Sequence, residues 1–180
     1  MSPSARRAAP HPFKNGSRVG FDIVSIPTGD RGVLSRLNGP KNHPKTGAYS
    51  VDVESFSNIA LRSLPGPDDG DDGGLEDTVV VLDEIGRMEL HSVEFQDRIK
   101  YLLRKGCKLL GCITAPIYGH RVPFCDLVEG SVGVRVRRLK KSNRDEVVEG
   151  IRKEVRELWG EGKRESELHG GGKGKRRKIV

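Results

Sequence analysis

Four apolar residues in a row, Val79-Val80-Val81-Leu82, end abruptly in two carboxylates, Asp83-Glu84. Three of the four are β-branched, and such a run fits a strand buried on both faces, as in a parallel sheet. The acids then fall where the strand emerges at its C-terminal edge, the place where open α/β sheets bind ligands. Strict alternation sends Asp83 and Glu84 to opposite sides of the strand, so that they can do different jobs. An Asp in that position can hold Mg²⁺, usually through water, and a Glu beside it can orient and deprotonate an attacking water. The same pattern also describes a strand that ends in a solvated acidic turn.

The downstream residues complete a strand–helix–strand unit. Ser92 is placed to cap a helix running to Lys105, with Glu94 in its first turn. Val93, Phe95, Ile99, Leu102 and Leu103 are its expected buried stripe, and Gly106 stands where a C′ glycine belongs. Leu109 to Thr114 reads as a second buried strand, which implies a right-handed parallel crossover. Thr114 then reaches the same sheet edge as Asp83. Its hydroxyl could sense a γ-phosphate or hold an attacking water; equally, it is a threonine that ends a strand before Pro116.

Elsewhere the pattern is mixed. Residues 1–15 carry three prolines and little periodicity, and read as a disordered segment. Val19–Ile26 alternates like a strand, Leu34–Leu37 fits a short second one, and Tyr49–Val53 a third. Phe56, Ile59, Ala60 and Leu64 share one helical face over Glu54–Leu64, and Pro65 stops that helix. Residues 65–78 hold six acids among glycines and prolines, and read as a flexible loop without the spacing of a calcium loop. Val132, Val134 and Val136 alternate with Arg135 and Arg137, as expected of a half-exposed basic strand continuing to Arg138, Lys140 and Lys141. Ser142 or Asn143 caps a last helix lined by Val147, Val148, Ile151, Val155, Leu158 and Trp159, and from residue 160 the pattern gives way to a basic tail. The domain is therefore expected over 16–159.

Gly39-Pro40-Lys41-Asn42-His43-Pro44-Lys45-Thr46 nearly fits G-x-x-x-x-G-K-[ST], with Pro44 in place of the second glycine. A phosphate loop works by backbone N–H groups at the start of a helix, and proline has none. No buried strand precedes it and a strand pattern follows it, so a surface loop is expected.

Charge and cysteine usage bound the remaining classes. The net charge of +7 is concentrated at the ends: residues 1–21 contribute +4, 160–180 another +4, and 22–159 sum to −1. The expected folded body is thus not basic, which weakens a nucleic-acid-binding reading of the domain. Cys107, Cys112 and Cys125 lack CxxC spacing, which suggests a reducing, intracellular setting and buried thiols. Lys173–Lys178 is a basic cluster that suits nuclear import or nonspecific polyanion contact, and equally often such a cluster does neither. No apolar run approaches the ~20 residues of a membrane span.

Asp83-Glu84-Ile85-Gly86-Arg87-Met88-Glu89-Leu90, together with Arg18–Val24, Gly47–Asp52 and Asn143-Arg144-Asp145 in that order, resembles the cancer-related nucleoside-triphosphatase family, small P-loop NTPases. The resemblance covers roughly residues 16–157. It implies an α/β, RecA-like parallel sheet core with antiparallel additions, and Mg²⁺-dependent hydrolysis of a nucleoside triphosphate (ATP, GTP or others) to the diphosphate and phosphate. It makes Asp83 the Walker B residue that holds Mg²⁺ and Glu84 the general base. It leaves Thr114 and Arg144 as nucleotide-contact candidates and Glu89 as a buttress or a structural residue. No G-x-x-x-x-G-K-[ST] occurs in the sequence. The fold is therefore expected to be N-terminally incomplete, lacking its first strand and phosphate loop and leaving apolar surface beside Val79–Leu82 uncovered. Two other classes stay open: a non-hydrolysing interaction module on the same scaffold, and a protein that binds nucleic acid through Arg135–Lys141 and the tails.

Overall fold

The Val79 run forms strand β7 (Val79–Ile85), paired in parallel with β8 (Lys108–Ile113), in a computed structural model that describes residues 12–67, 75, 78–116 and 120–168. Helix α2 (Val93–Lys105) connects the two strands. Its limits have local causes. The Ser92 hydroxyl accepts the Phe95 N–H at 3.1 Å, and Gly106, at φ 78°, takes the left-handed conformation that closes the helix. Phe95, Ile99, Leu102 and Leu103 are buried, each stabilising the fold by about 1.5–3 kcal/mol. Val93 does not join them and is exposed. It sits two residues before Phe95, about 200° round the helix from the buried stripe.

Helix α1 (Val53–Ser63) packs against α2. Asp52 caps it by accepting the Ser55 N–H at 3.0 Å. Phe56 meets Phe95 edge to face, with ring centroids 5.1 Å apart, and Arg98 of α2 donates to the Leu61 and Leu64 carbonyls at the end of α1.

The antiparallel additions form one sheet in the order β3 (Gly20–Val24), β4 (Arg31–Leu37), β6 (Tyr49–Val51), β5 (Lys45–Thr46). β4 is longer than Leu34–Leu37 because Arg31 to Val33 also pair with β3. Asp22 of β3, its side chain almost fully buried, is clasped by Arg31 at 3.0 Å and by Arg36 at 2.5 Å. Leu34 and Val51 bring this sheet into the same core as Val80, Ile85, Leu109 and the two helices.

Four expectations are corrected. Residues 13–18 are not irregular: β1 (Phe13–Lys14) and β2 (Ser17–Arg18) pair around Asn15-Gly16, both at positive φ, the geometry of a tight hairpin. The expected strand over Val132–Val136 does not form. Gly133, at φ 80°, turns the chain, Val132 is exposed, and residues 134–140 run without strand partners among the described residues. A short helix α3 (Pro123–Glu129), not expected from the sequence, buries Phe124, Cys125 and Val128. Helix α4 (Arg144–Leu168) continues past Trp159. Residues 1–11, most of the acidic stretch of 65–78 and the basic cluster Lys173–Lys178 lie outside the described residues. Among the described residues no helix is long and apolar enough to cross a membrane.

β7 is also not buried on both faces. β8 is its one strand neighbour among the described residues, and Val81 is 56% exposed. Val81 thus leaves apolar surface exposed on the run.

Candidate active site

The carboxylate pair sits on a break in the β7–β8 register. Leu82 pairs with Gly111 and Ile85 with Ile113, so Asp83 and Glu84 together oppose Cys112. Two residues against one is the count of a β-bulge, a device that re-aims side chains next to active sites. Strict alternation is therefore interrupted across the pair. Both acids are exposed, while Val80 before the break and Ile85 after it share the core. Gly111 admits the close approach at the start of the bulge: a Cβ there would stand 2.5 Å from the Leu82 carbonyl oxygen.

Glu84 is oriented from two sides. Thr114, half-buried just past the end of β8, donates its hydroxyl to Glu84 Oε1 at 3.1 Å, and its N–H bonds the Ile85 carbonyl at 3.3 Å. Thr114 thus reaches the same edge as Asp83, and its visible partner is the Glu84 carboxylate. On the other side lies Gly86. A Cβ at Gly86 would fall 2.5 Å from Glu84 Oε1 and 2.9 Å from Glu89 Oε2, so both carboxylates occupy the space that a side chain would take. Glu89 Oε2 also accepts the Gly86 N–H at 3.0 Å. Burial pushes the Glu89 carboxyl above its usual range, and the neighbouring Glu84 and Asp83 charges push the same way, against the backbone N–H groups it accepts.

The turn after Gly86 is pinned from the antiparallel sheet. The Thr46 hydroxyl lies 3.0 Å from His91 Nε2 and 3.5 Å from the Arg87 carbonyl, and the Ser35 hydroxyl contacts Met88 Sδ at 3.3 Å. Within the turn, the Leu90 N–H bonds the Gly86 carbonyl at 3.0 Å. The Gly39–Thr46 segment therefore serves as a brace. It ends in the β5–β6 hairpin, so the next element is a strand and not the helix that a phosphate loop opens. Gly86 and Thr46 were not visible as site residues in the sequence. Gly86 stands in the Asp83–Leu90 signature, which gives it no role of its own.

The cysteines add no nucleophile. Cys107 and Cys125 are buried, and Cys125 Sγ contacts the Ile85 carbonyl at 3.4 Å. Cys112 is exposed, against expectation, but desolvation and then the Asp83 and Glu84 charges push its thiol pKa up, away from the reactive thiolate.

Arg144 opens α4 and makes no hydrogen bond or ion pair with Asp83, Glu84, Glu89 or Thr114 among the described residues. The basic ribbon is partly spent: Arg135, at 3.1 Å, and Arg137 both pair with Glu154 of α4.

A sequence-family model described as NTPase matches residues 8–152. The cancer-related nucleoside-triphosphatase of Homo sapiens is 35% identical over 143 residues, covering 77% of this chain and 73% of that protein. The nucleoside-triphosphatase THEP1 of Thermotoga petrophila is 30% identical over 139 residues, covering 77% and 70%. The crystal structure of THEP1 from the hyperthermophile Aquifex aeolicus is similar at a TM-score of 0.60 and 23% identity, over 74% of this chain and 75% of that one.

Proposed function

The chain belongs to this nucleoside-triphosphatase family and has its α/β P-loop NTPase fold, and from that premise we propose that the β7–β8 edge performs Mg²⁺-dependent hydrolysis of a nucleoside triphosphate to the diphosphate and phosphate. The observation that carries the reading is the oriented Glu84 carboxylate, held at 3.1 Å by the Thr114 hydroxyl beside an exposed Asp83. Glu84 takes a proton from the attacking water as its oxygen bonds the γ-phosphorus and the bond to the leaving diphosphate oxygen breaks. Thr114 fixes which carboxylate oxygen is left to accept that proton.

The residues fit a hydrated cation. Among the described residues Asp83 makes no hydrogen bond or ion pair, and no group of three His, Cys, Asp or Glu side chains could hold a metal directly. A lone strand-end carboxylate is the donor set that Mg²⁺ uses when waters and substrate phosphates fill the remaining positions. Bound there, Mg²⁺ supplies charge neutralisation on the phosphoryl oxygens. Three cysteines without CxxC spacing support an intracellular setting, where nucleoside triphosphates are available.

Phosphate release from ATP and GTP, with and without Mg²⁺, tests the reading. It expects release that EDTA abolishes and added Mg²⁺ restores; release indifferent to Mg²⁺ overturns it.

A second reading, an interaction module that keeps the carboxylate edge without turnover, is favoured by one observation. These 180 residues contain no G-x-x-x-x-G-K-[ST], the loop whose N–H groups and lysine seat the phosphates. Retention of labelled ATP without phosphate release supports that reading over hydrolysis.

A further inference from the structure

We propose that Glu89 is a positioning residue for Glu84, acting through the Gly86 turn without touching the substrate; its kinetic consequences rest on the hydrolytic reading above. Three contacts carry it. Glu89 Oε2 accepts the Gly86 N–H at 3.0 Å, and the Leu90 N–H bonds the Gly86 carbonyl at 3.0 Å, so both faces of this residue's peptide environment are fixed by the 3₁₀ turn Glu89–His91. Glu84 Oε1 then lies 2.5 Å from where a Gly86 Cβ would be, in the gap that the missing side chain leaves. The same oxygen accepts the Thr114 hydroxyl at 3.1 Å. The Glu84 carboxylate is thus held by a donor just past β8 and against a backbone surface whose position Glu89 sets. The turn is braced in turn by Thr46 and Ser35 of the antiparallel sheet, so a loss of the Glu89 bond is felt locally, at Gly86 and Glu84, and not across the domain.

The test compares Glu89→Ala, Glu89→Asp and Glu89→Gln with the parent protein. Three quantities are read: hydrogen exchange of the Gly86 amide, the ¹³C resonance of the Glu84 carboxyl, and kcat and KM for Mg-ATP. In Glu89→Ala, Gly86 exchange should quicken by about tenfold and the Glu84 resonance should move. There kcat should fall by about tenfold with KM within about twofold, the scale of one charge-assisted hydrogen bond. Glu89→Asp keeps the charge but falls one methylene short, and should behave like the alanine variant while keeping the fold. Glu89→Gln keeps the acceptor oxygen and should restore all three quantities. An unmoved Glu84 resonance in both short variants, a glutamine variant as impaired as alanine, or a loss of kcat that merely tracks a lowered melting temperature overturns the proposal. If the parent releases no phosphate, the hydrolytic reading fails, and the exchange and resonance measurements still decide the role of Glu89.

Discussion

Replacing Gly86 with alanine separates the demands of the fold from those of the site. Gly86 is not among the residues at positive φ, so its backbone accepts a side chain without strain. The new Cβ would stand 2.5 Å from Glu84 Oε1, 2.8 Å from Glu84 Cδ and 2.9 Å from Glu89 Oε2. Comfortable contact needs about 3.5 Å or more, so the Glu84 carboxylate must retreat by roughly 1 Å and that of Glu89 by roughly half as much. Both are ends of flexible side chains, and the move costs the fold little. The reduced freedom of the unfolded chain returns about 0.4–1 kcal/mol, so the melting temperature should change by only a few degrees. Glu84, the proposed general base, is however displaced. A misplacement of that size costs about 10²-fold in rate, equivalent to about 2.7 kcal/mol of transition-state stabilisation. Single-turnover phosphate release alongside thermal melts reads both numbers. Hydrolysis within about twofold of the parent, with the melting temperature preserved, would refute the argument that the two carboxylates need the space at Gly86.

Thr114→Val removes the donor to Glu84 Oε1 and should lower kcat by about tenfold, whereas Thr114→Ser should retain most of it; equal kinetics for the two would dismiss the hydroxyl. The raised pKa of Glu89 predicts a pH-dependent stability. Its folded-state pKa lies above the unfolded value, so the stability it contributes is fully present below about 4.5 and is lost as pH rises through the folded pKa. Glu89→Gln should therefore raise the melting temperature at pH 7, and the gain should shrink as pH falls through the folded pKa and be gone below about pH 4.5. A constant difference across pH would count against the desolvated, crowded carboxylate. Because no G-x-x-x-x-G-K-[ST] occurs in the sequence, joining a strand–GxxxxGK[ST]–helix segment of a matched relative ahead of residue 12 should tighten Mg-ATP binding by at least about tenfold in calorimetry. Equal affinity would mean that another loop seats the phosphates.

The β7–α2–β8 unit and the Asp83-Glu84 edge were legible because their signals are local and redundant: a β-branched run, a serine cap, a stripe of 3.6 period and a closing glycine. The bulge was not. Register belongs to the pairing of two strands, and nothing in Leu82–Ile85 announces that two of its residues will face one of β8. The contacts of Glu89 and Thr46 were hidden for the same reason, since each depends on how a turn folds back or a separate sheet docks. Val132–Val136 misled because alternation alone cannot supply a neighbouring strand, and Gly133 turns the chain away. Asn15-Gly16 was readable as a hairpin signal, but the prolines and basic residues around it masked it. Helix α3 spans only seven residues, too short to show a period.

The central claim is that Glu84 is the base of a hydrolytic site, and Glu84→Gln tests it most directly. The substitution keeps the size of the side chain and its bond to Thr114, and removes the capacity to take a proton. Phosphate release from Mg-ATP should fall by ~10²–10⁴-fold, the usual contribution of a general base. Nucleotide affinity should hold or improve, since a negative charge near the γ-phosphate is lost. A parent that releases phosphate no more than about twofold faster than Glu84→Gln, when a base should be worth ~10² or more, would contradict the account.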